Sequence, residues 1–159
     1  MRFSRKIKRG AGELLGFALM VPFIMMLLCA VLSSAQITIA NQQLTYAAYS
    51  AGRAAVVAES EDLASERAEA VLGVLYGDRY QGISFTRADT DAFGLSLGNG
   101  EVYCKIQYLG TGASWIKGDV IKCTVYQNLN PIMPFTAGVR AQSVVMMIEN
   151  GELPTEFFN

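Results

Sequence analysis

The chain has 159 residues, 52 % of them hydrophobic, and a net charge of −1, which suits one membrane segment plus one small domain. The charge is divided. Arg2, Arg5, Lys6, Lys8 and Arg9 stand without an acid, and from Gly10 onward eight bases face fourteen acids, so the folded part lacks the basic footprint of a nucleic-acid binder. The absence of histidine removes the commonest general base and a common metal ligand, and excludes a Ser-His-Asp triad.

The first predicted element is an apolar helix. Leu14 to Leu32 carries no charge and, at 1.5 Å per residue, reaches about 28 Å, close to a bilayer core of roughly 30 Å. The cations before it favour a cytoplasmic N-terminus, with the acidic remainder outside the cytoplasm. Pro22 lies within the run and removes one backbone bond, which membrane helices tolerate. A secretory signal is the alternative: "SSAQ" offers Ser33 and Ala35 before a cut at Gln36, although the apolar run exceeds the usual signal core of roughly 7–15 residues.

The next stretch, "QITIANQQLTYAAYSAGRAAVVAE", has Leu44, Ala47, Ala48, Ala51, Ala54, Ala55 and Ala58 at spacings of three and four, a helical stripe of small residues. It suits close approach by a neighbouring helix, or packing on the protein's own domain. With the apolar run it predicts one continuous helix of about 45 residues, longer than compact domains use and normal for a stem. A further helix is predicted from Ser60 to Tyr76. Ser60 serves as cap, Glu61 and Asp62 suit the positive first turn, Gly77 ends it, and Leu63, Val71, Leu72 and Leu75 form its apolar face.

From Gly82 the pattern becomes strand-like. "ISFTR" is a short candidate; "FGLSL" and "EVYCKIQYL" flank "GNG", a hairpin signal at Asn99-Gly100. "VIKCTVYQNL" follows a glycine-rich loop, and "VRAQSVVMMIE" is the last strand, set off by Pro131 and Pro134. The predicted fold class is therefore α+β: a long N-terminal transmembrane helix and stem running into a small helix plus an antiparallel β-sheet domain. Its segments are a basic leader (1–13), a transmembrane helix (14–35), a stem helix (36–58) and an extracytoplasmic domain (59–159).

Of the three cysteines, Cys29 lies in the apolar run. Cys104 and Cys123 fall on apolar faces of strands joined by one loop. Two states are open to them: a cross-strand disulfide, closing a loop of about 20 residues and contributing about 3 kcal/mol, or two buried free thiols. An oxidising compartment favours the bond. No catalytic set, metal site or cofactor is expected. "GTGASWIKG" lacks the Walker spacing, there is no Gly-x-Ser-x-Gly elbow, and Asp89 and Asp91 form only half of a calcium loop. Trp115 is either an exposed contact residue or the plug of the small core.

Two segments together resemble the TadE/TadG family of minor pilins (pseudopilins) from bacterial Tad-type, or Flp, pili. The first is the basic stretch, "GFALMVP", the apolar run and "QLTYAAYSAGRAAVVA". The second is "IKCTVYQNLNPIMPFTAGVRAQSVVMMIEN", where Tyr126, Pro131, Pro134, Ser143, Met146 and Glu149 match the family's late strand, Pro-x-x-Pro linker and final strand. The middle of the chain, with its cysteines, lies outside the resemblance. It implies a single-pass, non-enzymatic type IV pilin-like protein of the cytoplasmic membrane. Such a protein serves assembly or initiation of a surface pilus for adhesion or related surface work, itself entering the pilus or not. The implied partners are other pilin and minor pilin subunits, a prepilin peptidase, the inner-membrane assembly platform and the bilayer, with no nucleic acid. The implied peptidase cut falls after Gly10 or Gly12. Family members place a Glu directly before Phe-Ala-Leu; here Gly16 stands there, and Glu13, one turn earlier, is the candidate assembly carboxylate or an interfacial charge. An uncut component of another secretion or conjugation machine, or a secreted binding module cut after Ala35, are the competing readings.

Overall fold

The computed structural model describes residues 3–87, 96–110, 112, 114–132 and 136–152, with side-chain surroundings from Leu15 onward. Helix α1 runs unbroken from Phe3 to Val56 with Pro22 inside it. The expected continuity of the apolar run with the small-residue helix is therefore present, and the helix is longer than the pattern implied. Helix α2 spans Glu61–Tyr76, a 3-10 turn Gly77–Arg79 follows, and four strands complete the fold: β1 (Tyr80–Thr86), β2 (Val102–Tyr108), β3 (Val120–Leu129) and β4 (Gly138–Met147). They form one sheet in the order β1-β2-β3-β4. Helix α1 packs on β3 and β4, and α2 packs on β1 and α1.

The ends of α2 follow from its sequence. Ser60 is extended and its hydroxyl accepts from the Leu63 N–H, satisfying one of the first turn's free donors. Gly77, at φ +54°, takes a positive-φ conformation that glycine adopts readily and that ends the helix, its N–H donating to the Gly73 carbonyl. The buried face differs from the expected one. Ala64, Ala68 and Leu72 are buried, whereas Leu63, Val74 and Leu75 are exposed. Small residues win because α2 lies close against α1, whose own stripe of Leu44, Ala47, Ala48, Ala51 and Ala55 is buried. Against the sheet the approach is close as well: a Cβ added at Gly52 would lie 3.1 Å from Met146 Sδ and 3.5 Å from Cys123 Cβ. The stripe thus packs on the protein's own domain.

The sheet is mixed, which corrects the antiparallel expectation. β2–β3 and β3–β4 are antiparallel, but β1 pairs with β2 in parallel, with a bulge at Gln81. The error came from reading Asn99-Gly100 as a hairpin. Those residues do turn, with Gly100 at φ +78° and the Glu101 N–H donating to the Gly98 carbonyl, but Ser96 and Leu97 before them form no strand. Leu97 is buried, its carbonyl accepting from the Asn128 side chain at 2.7 Å. The turn therefore starts β2 alone. β1 fills the free edge of β2, reached by a connection of residues 87–101, the length a parallel crossover requires.

The core is continuous. Val102, Cys104, Ile106 and Tyr108 of β2 and Ile121, Cys123 and Val125 of β3 face the helices, all fully buried. Trp115 is the plug rather than an exposed contact. It is 4 % exposed, stacks 6.0 Å from Tyr108, and its indole N–H donates to the carbonyls of Ala58 (2.9 Å) and Asn150 (3.1 Å). It thereby helps to close the C-terminus of α1, where carbonyls otherwise lack partners. The Val56 carbonyl accepts from the Glu149 and Asn150 N–H groups, and that of Val57 from Arg67 and Asn150 side chains.

Candidate functional site

The feature that most demands explanation is the N-terminal half of α1. Among the described residues it is the one helix long and apolar enough to cross a membrane; mean hydropathy reaches 2.6 over its most apolar 18 residues, none of them buried. Large apolar side chains point outward all round: Phe17, Leu19, Met20, Phe23, Met26, Leu27, Val31 and Leu32 are each at least half exposed. Burying one such side chain is worth about 1.5–3 kcal/mol. Even at about 1 kcal/mol each, this set in water forfeits as much as an entire small domain's stability of about 5–15 kcal/mol. The segment belongs in lipid or among other helices.

Gly10, Gly12 and Glu13 fall on the helical backbone of α1, and the surroundings of their side chains lie outside the described residues. Gly16 is described: a Cβ there would meet nothing within 4 Å. No packing demand within the chain therefore explains a glycine there, and a larger side chain meets no steric obstacle from the rest of the chain.

Another part of the chain meets the helix at the C-terminal end of this apolar stretch. The β3–β4 connection returns to α1, where the Ile132 N–H donates to Gln36 Oε1 at 3.3 Å. Ser33 is 2 % exposed, although Val31 and Leu32 before it are open. Sequence reasoning treated Pro131 and Pro134 as punctuation between strands and missed this contact. The available signal was the lack of any charged residue from Cys123 to Val139. Pro134 lies outside the described residues.

Cys104 and Cys123 are brought together, as their faces suggested. Cys104 is directly opposite Val125, and Cys123 opposite Ile106, so the cysteines are diagonal neighbours. Their Sγ atoms are 3.7 Å apart, both residues are fully buried, and both are free thiols here. The hydrogen bond with Cys123, together with burial, holds Cys104 well above the usual thiol range. At neutral pH it is a protonated, shielded thiol and a poor nucleophile. Non-reducing peptide mapping decides the covalent state: free thiols at both positions reject the bond.

The described part of the glycine-rich loop, Gly110, Gly112 and Ser114 to Gly118, is tied to its neighbours. Arg87 lies 4.9 Å over the Tyr108 ring, donates to the Gly112 carbonyl at 2.7 Å and ion-pairs with Glu61. The Tyr108 hydroxyl contacts Asp119 and the Ser114 carbonyl, and burial followed by that hydrogen bond raises its pKa. Among the described residues no cluster of three or more Cys, Asp or Glu is arranged to hold a metal ion; Asp89 and Asp91 lie outside them.

No family model, curated protein or solved structure matches the chain. What the structure itself establishes is an α+β domain built on the distal half of a helix whose proximal half is long and apolar enough to cross a membrane.

Proposed function

We propose that the chain is a membrane-anchored, non-enzymatic subunit of the minor-pilin type, acting in assembly or initiation of a Tad-like surface pilus. The observation that carries the reading is the shared helix: one uninterrupted α1 supplies both the exposed apolar segment and the buried stripe of the head. A stem made this way presents an apolar rod for lateral packing with other stems and holds the head at a fixed height above it. The motif resemblance supports the same reading. In it the N-terminus is cytoplasmic, the head is outside, and the partners are other pilin subunits, a prepilin peptidase and the assembly platform.

The experiment is mass spectrometry of the mature N-terminus in the native membrane. A chain starting at Ala11 or Glu13 is expected. An intact start identifies an uncut anchored component instead, and a start at Gln36 removes both readings in favour of a secreted module. Two variants refine the result. Glu13→Ala is expected to impair association with the major pilin if Glu13 is the assembly carboxylate, and unchanged association excludes that role. Gly16→Glu, which meets no steric obstacle, is expected to rescue Glu13→Ala.

A further inference from the structure

We propose that the described ends of the β3–β4 connection, at Ile132 and Thr136, rest on the outer face of the bilayer, with Ile132 set into the headgroup boundary, so that the head has a second, interfacial contact with the lipid surface. The proposal rests on the reading of Leu15–Leu32 as the membrane-spanning segment.

The register along α1 fixes the depth. Eighteen residues at 1.5 Å rise cover about 27 Å, so a core of about 30 Å ends near Ser33–Gln36. It is at this level that the connection meets the helix, through the Ile132 N–H on Gln36 Oε1. Ser33, on the same stretch of helix, is buried, while Leu32, on the neighbouring face, is open. Ile132 itself is 52 % exposed, and Val139, just beyond the connection, is exposed as well. An exposed isoleucine beside the end of a transmembrane run lies next to the lipid, an apolar medium that can cover it.

Charge supports the same placement. No Asp, Glu, Lys or Arg occurs from Leu14 to Gly52 on the helix or from Cys123 to Val139 on the returning hairpin. Nothing ionised has to be dehydrated for this end of the head to sit at the boundary, where a charge deeper in would be costly. Beneath the connection a groove of about 420 Å³, lined by Phe23, Met26, Leu27, Ala30, Ile37 and Thr136 among others, runs from the span to the hairpin. Its lining is almost wholly apolar, the surface an acyl chain covers. Thr136 at its upper end ties the hairpin to the same lipid-facing groove.

The test uses the full chain in nanodiscs of phosphatidylcholine and phosphatidylglycerol, with Cys29→Ala and with Cys104 and Cys123 replaced by alanine. An environment-sensitive fluorophore is attached at Ile132→Cys and, separately, at Leu27→Cys and Lys117→Cys. Spin-labelled lipids then report depth. The expected result is strong quenching of the Ile132 site by the shallow label and weaker quenching by the deep one. The reverse order is expected for Leu27 and no quenching for Lys117. Thr136→Cys should repeat the Ile132 pattern, which keeps the test valid if Ile132→Cys misfolds. An Ile132 site behaving like Lys117 while Leu27 is quenched overturns the proposal and leaves the span standing. An unquenched Leu27 removes the span itself. An Ile132 site that is dark to both labels but shifts to the blue when pilin subunits are added overturns the proposal in favour of a protein contact.

Discussion

Leu15–Leu32 and Ala40–Val56 lie on one helix and share one backbone geometry, yet the first is exposed and the second holds the core. The difference lies in where the apolar side chains stand and how large they are. The proximal half is Leu, Phe, Met and Ile on every face, a surface that only lipid or other helices cover. The distal half places Ala and Gly on the face toward the sheet, so backbone approaches backbone and a folded head forms directly on the rod. The proximal half is apolar on every face, whereas the distal half carries Asn41, Gln42, Gln43 and Arg53 beside a stripe of small residues, and the small size of that stripe lets the head form on it.

The largest expected effect in the distal region comes from Trp115→Ala. It removes a buried aromatic and leaves the Ala58 and Asn150 carbonyls without their donor, and should cost about 3–5 kcal/mol, read by urea unfolding of the head with pulse proteolysis in detergent. If the loss is below about 1 kcal/mol, the head does not depend on that closure of α1. Next, Ala48→Leu, harmless by hydropathy, should overpack the stripe and cost about 1–3 kcal/mol in the same assay; an unchanged midpoint would break the size argument. Ser60→Ala removes the α2 cap and should cost about 1 kcal/mol, shown by earlier unfolding with an unchanged urea slope.

A titration effect follows that is nil at neutral pH. Cys104 is raised by its neighbour and burial, and burial raises Tyr76 and Tyr80. In each case the folded state keeps a proton that the unfolded chain releases. Stability is therefore fully present below about pH 8.5, where an unfolded thiol begins to titrate, and falls as pH rises, first through Cys104 and then, above about pH 10, through the tyrosines. Urea midpoints measured from pH 7 to 11 should show that order; a rise with pH would contradict it. The smallest effect belongs to the proximal region. Leu27→Ala, on an exposed site, should change head stability by less than about 0.5 kcal/mol. A large effect there would mean that the two regions are not separate in their energetics.

Much of this was legible in the residues, for physical reasons. The helix α1, its small-residue stripe, the Ser60 cap and the Gly77 stop are local signals read from spacing and backbone preference. The faces of β2 and β3 followed from strand alternation, and the meeting of Cys104 and Cys123 followed from those faces. The partner of β2 did not. A turn at Asn99-Gly100 does not say which strand fills the neighbouring edge, and β1 arrives from earlier in the chain. The buried face of α2 was misread because large apolar residues were weighted over Ala64 and Ala68, which only close helix contact makes valuable. The contact of Ile132 with Gln36 joins residues far apart in sequence and carries no short motif. At the candidate site, Gly16 and the apolar run were visible at once, whereas the open space around Gly16 depends on how the folded chain surrounds it.

The unbroken α1 also has a mechanical consequence. Its 54 residues make a rod of about 80 Å, and above Pro22 neither proline nor loop interrupts it before Val56. The head is clamped to that rod along its last four turns. A twist on the head is therefore passed along the rod as far as Pro22, with no break between them to dissipate it.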